Sequence, residues 1–594
     1  MQVKERKDID NSYKWNLEVM FANDAQWEKT CAELDKKKQI LTTFDKKLNN
    51  AVDILACLQA ESAIGRVISK LYVYAKMRQD QDVNISKYKA MTDKIENLSV
   101  EISTLASYIR PQLTENSEEF LLQLAEDKRF VDYDYTLKEL ARTKSRTLSA
   151  KEESIIAQTG SFADMFQNAF SMFDNADVQF ETFVDSNGEK VELSHGLYGL
   201  LMQSPVRDDR KKAFETMFTA YKKMINTVAV LYAGNVKKDL FYSKLRKYNN
   251  CLERAMDSEN VAPIVYSNLI ECVHNNIGGL YNYLEFRKKV MGYDELHLYD
   301  LHTPIYDGVT VNLDYADACK LVKDALAPMG KDYCDLLDRA FNERWIDVYE
   351  NKGKRSGAYS WGCFDSHPYV LLNYQPTIHD VFTIAHELGH SLHSYFSNTT
   401  QPYEKAGYEI FVAEVASTVN ETLLLKYLLA RSDKKNRKYL LSYMLDMFRT
   451  TVFRQTQFAE FEVVAHDIAE KGEALTPDSL CDAYYKLNEF YYGAKGVIND
   501  EYIKYEWARI PHFYNSFYVY KYATGLISAV CIADDILTKG QPAVERYKQF
   551  LSAGGSMSPV EILKLAGVDL TTKEPFKKAM DFYNATLAEL ISLD

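Results

Sequence analysis

Between Ile384 and Phe396 the chain reads IAHELGHSLHSYF, and His386, Glu387 and His390 form an HExxH pattern. On a helix, positions four apart are rotated by roughly 40°, so both imidazoles leave one face a turn apart. At that spacing two imidazoles can reach one zinc ion at ~2.1 Å. Glu387 lies one position round and can lean over the metal-bound water without ligating the metal, as a general base of hydrolysis must. With 11 histidines in 594 residues, only about 0.03 matches to this pattern are expected by chance. Five of those 11 also fall between His367 and His393.

Zinc in a hydrolytic site takes a third protein ligand and keeps one position open. The extended pattern HExxHxxGxxH is excluded, because residues 393 and 396 are His and Phe. The third ligand therefore comes from elsewhere, and the following segment, YEKAGYEIFVAEVASTVNETLLLKYLLARS, offers Glu404, Glu409, Glu414 and Glu421. Glu414 and Glu421 are seven apart and share a helix face, while Val412, Val415, Val419 and Leu423 make the core stripe of the other side. Spacing favours Glu414 or Glu421 and does not choose between them.

These residues need rigid helices to hold them. Thr377 is the expected N-cap of the histidine helix, with Asp380 three residues on completing a capping box and Val381, Ala385, Leu388 and Leu392 facing the core. Similar stripes recur earlier, at Trp27, Cys31 and Leu34 and at Ile64, Val67, Ile68 and Leu71, so the first ~190 residues read as successive helices. Asn187-Gly188 between alternating apolar residues predicts a hairpin and marks a soft boundary. Further short β segments are expected between Leu296 and Leu313 and across Arg355–Tyr374, where glycines interrupt the helical period. The expected division is a helical domain over 1–195 and a catalytic domain over 196–594.

Composition narrows the class of partner. A formal net charge of -13 argues against sequence-independent binding to nucleic acid or to an anionic membrane. No apolar run approaches the roughly 18 residues of a membrane span, and the first residues lack the apolar core of a secretory signal. Nine scattered cysteines without a CxxC pair predict reduced thiols and a cytoplasmic protein.

HELGHSLHSYF, then IFVAEVASTVNETLL, then RIPHFYNSFYVYKYATG together resemble oligoendopeptidase F, of the thimet oligopeptidase family of zinc metallopeptidases. GAYSWG and PYVLLNY are similar to the same subgroup, and the likeness spans roughly residues 200–585. The resemblance implies a mainly α, two-lobed helical ellipsoid with a deep substrate channel and a small β-sheet beside the HExxH helix. It implies one zinc per chain on His386, His390 and Glu414, with Glu387 as base and Glu421 steadying a ligand imidazole. His393 is then a packed, hydrogen-bonded histidine. His512 matches the family's oxyanion histidine. The tyrosine donor is open between Tyr514, Tyr518 and Tyr520, with Tyr520 preferred. Gly357, Ala358 and Tyr359 match an edge strand that pairs with extended substrate.

The expected function is hydrolysis of internal bonds in short unfolded peptides. A zinc carboxypeptidase or aminopeptidase is the first rival, and needs a fixed group for a peptide terminus. A non-catalytic peptide-binding protein is the second, and is disfavoured by the presence of Glu387. The sequence leaves oligomeric state open.

Overall fold

The helical stripes of the N-terminal region fold as their spacing predicts. Asn23 caps the helix Asp24–Lys37 by accepting a hydrogen bond from Gln26 N, and Trp27, Cys31 and Leu34 are buried along it. The helix Ala51–Gln81 starts at Asn50, which accepts from the amides of Val52 and Asp53. It buries Ile64 and Leu71 and packs Val67 and Ile68 at the margin of the same core.

The structure, a computed structural model, describes residues 3–306, 308 and 313–594. Helices dominate these residues, with three small sheets. They fold as two compact units, each assembled from three stretches of chain. The first comprises Met1–Ala150, Thr310–Tyr427 and Ile532–Val568, and the second Lys151–Val309, Leu428–Cys531 and Asp569–Asp594. In the first unit the N-terminal helices share one core with Cys363, Tyr369 and Leu371.

The hairpin around Asn187-Gly188 forms as β1 (Thr182–Val184) and β2 (Lys190–Glu192), antiparallel, with Gly188 at φ +83° in the turn. From the segment Leu296–Leu313 only β3 (Leu296–His297) forms among the described residues, since 307 and 309–312 lie outside them. It pairs in parallel with β7 (Val497–Ile498). In the first unit β4 (Ile346–Asp347), β5 (Tyr359–Trp361) and β6 (Tyr369–Leu371) make a sheet of order β4-β6-β5. There β6 is central and fully buried, while β5 runs antiparallel to it at the edge. β4 and β7 were not anticipated, because two residues are too short to show alternation.

The histidine helix runs Ile378–Thr400 and lies against β5 and against the helix Gln541–Ser552. Its cap is as expected, Thr377 accepting from Asp380 N. The reciprocal arm differs: the Asp380 carboxylate accepts from the Thr377 hydroxyl and, at 3.2 Å, from Gln375 N. Val381, Ala385, Leu388 and Leu392 are buried, each larger side chain contributing about 1.5–3 kcal/mol of transfer free energy.

Candidate metal centre

The helix Ile410–Leu429 crosses the histidine helix, and a glycine sets how closely. A Cβ on Gly389 would stand 2.5 Å from Ser417 Cα and 2.7 Å from the Ala416 carbonyl oxygen. Only glycine permits that approach, although it costs helix stability of about 1 kcal/mol relative to alanine. Asn420 Nδ2 ties the crossing by donating to the Ala385 carbonyl at 3.0 Å. The contact brings the glutamate face of the second helix against the imidazoles of the first.

There His386, His390 and Glu414 converge. His386 Nε2 and His390 Nε2 are 3.2 Å apart, and each lies 3.5 Å from Glu414 Oε2. A tetrahedral zinc site with ~2.1 Å bonds has ligand–ligand edges of ~3.4 Å. Three nitrogen and oxygen donors at those separations fit the metal on geometry and on donor chemistry. Glu421 Oε1 lies 2.5 Å from His386 Nδ1, so it fixes the tautomer and turns Nε2 toward the convergence point. Burial would lower the His386 imidazole, but the Glu421 carboxylate outweighs it and raises the ring to about 9. Burial would likewise raise Glu414; its hydrogen bond and charge pairing with His390, then His386, hold it down to about 2.

Glu387 is buried beside this cluster, and its carboxylate makes no side-chain hydrogen bond among the described residues. Burial raises its carboxyl against the pull of the two histidines. His393 is fully buried and stacked on Tyr408 at 3.7 Å and on Phe550 at 5.3 Å. Packing is as expected, but hydrogen bonding is not: neither ring nitrogen has a partner among the described residues. Burial drives the ring to about 3, so it is neutral.

Gly357, Ala358 and Tyr359 lead into the edge strand β5, Gly357 at φ +83° with nothing near its missing Cβ. Ser360 Oγ meets Ser391 Oγ at 2.8 Å, joining the edge strand to the histidine helix. The Tyr359 hydroxyl donates to Asp80 Oδ2 at 3.0 Å.

His512 and the tyrosines belong to the second unit. His512 Nε2 lies 3.1 Å from the Tyr522 hydroxyl, and its ring stacks with Tyr518 at 6.0 Å. Burial and then the Arg454 charge lower its imidazole below the ordinary value. Tyr520 is instead buried against Tyr266 at 5.0 Å, and Tyr514 is buried on Phe170 at 4.4 Å. Phe517, at φ +62°, is held by Glu462, whose Oε1 accepts its amide hydrogen bond at 2.7 Å. The structure thus places Tyr518 and Tyr522 with His512, and Tyr520 in the core. The place of Tyr522 beside His512 has no distinguishing signal in a tyrosine-rich run, whereas Gly389 could have been found as a glycine inside a strong helix.

The description of peptidase family M3 matches residues 200–582, and that of oligopeptidase F matches residues 101–180. Over 595 residues the chain is 39% identical to oligopeptidase PepF of Bacillus subtilis, covering all of this chain and 89% of that relative. A crystal structure of oligoendopeptidase-F from Enterococcus faecium is 33% identical, with a TM-score of 0.75 over 96% of this chain and 99% of that one. A crystal structure of a putative peptidase from Chlamydophila abortus is 37% identical, with a TM-score of 0.94 over the whole of both chains. The chain belongs to peptidase family M3 and is a metallo-oligopeptidase of the oligoendopeptidase F type.

Proposed function

We propose that this chain is a zinc-dependent endopeptidase that cleaves internal bonds of short unfolded peptides, with one zinc on His386, His390 and Glu414. The observation that carries the reading is the triangle of donor atoms at 3.2–3.5 Å with an unpartnered, buried Glu387 beside it. When bound, zinc supplies a Lewis acid that lowers the pKa of water to near neutrality and takes up charge on the scissile carbonyl oxygen. Glu387 accepts the proton of the attacking water and passes it to the leaving amine. Its raised affinity for a proton suits both halves of that task. Glu421 holds the His386 ring in place. His512, neutral through burial and Arg454, donates to the developing oxyanion. Its tyrosine partner is one of Tyr514, Tyr518, Tyr520 and Tyr522, of which Tyr522 meets His512 at 3.1 Å. The edge strand β5, led by Gly357, Ala358 and Tyr359, takes extended substrate through backbone hydrogen bonds.

The division into modules over 1–195 and 196–594 is supported by the interval 181–199 between the two family matches. Nine scattered cysteines with no CxxC pair support a reducing, cytoplasmic setting for peptide turnover.

The test uses internally quenched peptides blocked at both ends, which exclude a carboxypeptidase or aminopeptidase. Wild-type protein cleaves them, while Glu387→Gln retains one equivalent of zinc and loses nearly all turnover, because an amide cannot take the proton of water. Near-normal turnover by that variant refutes the role of Glu387, and failure of wild-type protein on blocked peptides refutes endopeptidase action.

A further inference from the structure

The chain is acidic, yet the second unit gathers arginines in excess around one locus. Asp446 accepts from both Arg287 and Arg449, at 2.9 and 3.0 Å. Glu506 accepts from Arg454 at 2.6 Å through one oxygen and from the Tyr484 hydroxyl through the other. Arg509 is left 3.8 Å from Glu506, outside hydrogen-bond reach. Four guanidiniums therefore face two carboxylates. Burial would raise the Glu506 carboxyl, but Arg454 and Arg509 outweigh it, so its charge is fully present. His302 has a solvent-accessible side chain at the same locus, where burial of its surroundings and then the charges of Arg449, Arg454, Arg287 and Arg509 keep it neutral.

Arg509 is the unexplained member. It makes no hydrogen bond among the described residues, and its Nε is buried without a partner. A guanidinium carries five N–H donors, and buried donors are almost always satisfied. Its side chain is 20% exposed and sits 5.3 Å over the Tyr198 ring, which orients the fork. Arg454 is 22% exposed and stands 4.3 Å over Phe458. It begins the helix that follows a π-wound turn over Arg449–Phe453. Such turns are costly and recur at functional sites. Two oriented, partly exposed guanidiniums with one shared carboxylate make a receptor for a second one, since the planar fork matches a carboxylate in two-point contact.

We propose that Arg509 and Arg454 form a subsite for a carboxylate of the peptide substrate. Arg454 covers the Phe458 ring, which packs on Phe513 at 5.5 Å, and His512 is the residue before Phe513, so a carboxylate held there lies in the neighbourhood of His512. This inference rests on the reading of the chain as an endopeptidase. The carboxylate comes from the peptide C-terminus or from an acidic side chain near it. The receptor sets affinity for the substrate's end without being one of the residues that do the chemistry.

Three quenched peptides of one sequence test it: a free C-terminal acid, its amide, and the amide with glutamate as the last residue. Wild-type protein should show a KM for the free acid about 10-fold or more below that of the amide, with similar kcat, as expected for a charge-assisted pair. Arg509→Met should collapse that ratio to near one, and Arg509→Lys should restore part of it. If the glutamate amide behaves as the acid does, the side chain serves; if it behaves as the amide does, the terminus serves. Equal KM for all three peptides in wild-type protein overturns the proposal without any variant. So does an Arg509→Met protein that weakens acid and amide alike, which is the signature of a structural arginine. If wild-type protein cleaves none of the peptides, the endopeptidase reading falls, and calorimetric binding of the same acid and amide decides the subsite separately.

Discussion

Glu414 and Glu421 are the same residue type on the same helix face, and geometry separates them. Glu414 reaches the inner nitrogens of both histidines, whereas Glu421 meets the outer nitrogen of His386. Glu414→Ala should empty the metal site, and Glu421→Ala should weaken it by about 10–100-fold, as expected for a group that only orients a ligand. Competition with a chelator ranks the two, and the reverse ranking means that the wrong turn of the helix has been chosen. The tyrosine donor is tested by Tyr518→Phe, Tyr520→Phe and Tyr522→Phe. Loss of an oxyanion donor lowers kcat by about 10²–10³-fold with little change in KM. The placement of Tyr520 against Tyr266 predicts only a small loss for Tyr520→Phe, and the large loss at Tyr518 or Tyr522. Both histidines, Glu387 and the pair of glutamates were legible from spacing, since helical phase alone fixes their face. The choice within the pair came from resemblance. The tyrosines were not legible, because burial at 514 and 520 depends on rings from Phe170 and Tyr266, far away in the chain.

At the scale of elements, the site is a crossing of two helices whose separation is set by Gly389. Adding one methyl there places a Cβ 2.5 Å from Ser417 Cα, on backbone that cannot step aside. Gly389→Ala gains helix propensity of about 1 kcal/mol, but overpacking at such a contact costs about 1–3 kcal/mol. We expect a net loss of stability together with weaker metal binding, because Glu414 and the histidines move apart as the helices separate. Thermal unfolding and a metal titration of the same variant measure the two effects, and unchanged metal affinity would show that the crossing does not position the ligands. The helices themselves were readable from caps and stripes: Thr377, Val381, Ala385, Leu388 and Leu392 behave as their types dictate. The sheet was only half readable. β5 and β6 announce themselves through glycine and aromatic residues, while β4 offers two residues that become a strand only because β6 lies beside them.

For the whole molecule, a metal held by native contacts adds its binding free energy to folding, by about 4 kcal/mol when free metal is 1,000 times its dissociation constant. Removing it with a chelator should lower the thermal midpoint, and restoring zinc should recover it. Calorimetry with and without zinc measures the shift, and identical curves would mean that the ion does not bind the native protein at the concentration used. The likeness to relatives covers the full chain, yet a linear reading could not foresee units built from three separated stretches. That interleaving has a bearing on how the chain is born. The histidine helix stacks His393 on Phe550 and ties Gln401 Nε2 to the Ser552 carbonyl at 2.8 Å. During synthesis the metal ligands leave the ribosome long before the helix Gln541–Ser552 that completes their packing, and at ~5–20 residues per second the gap lasts several seconds or more. Through that interval the part of the histidine helix around His393 and Gln401 is without its final cover, so the packing behind the metal ligands is completed only after they have left the ribosome.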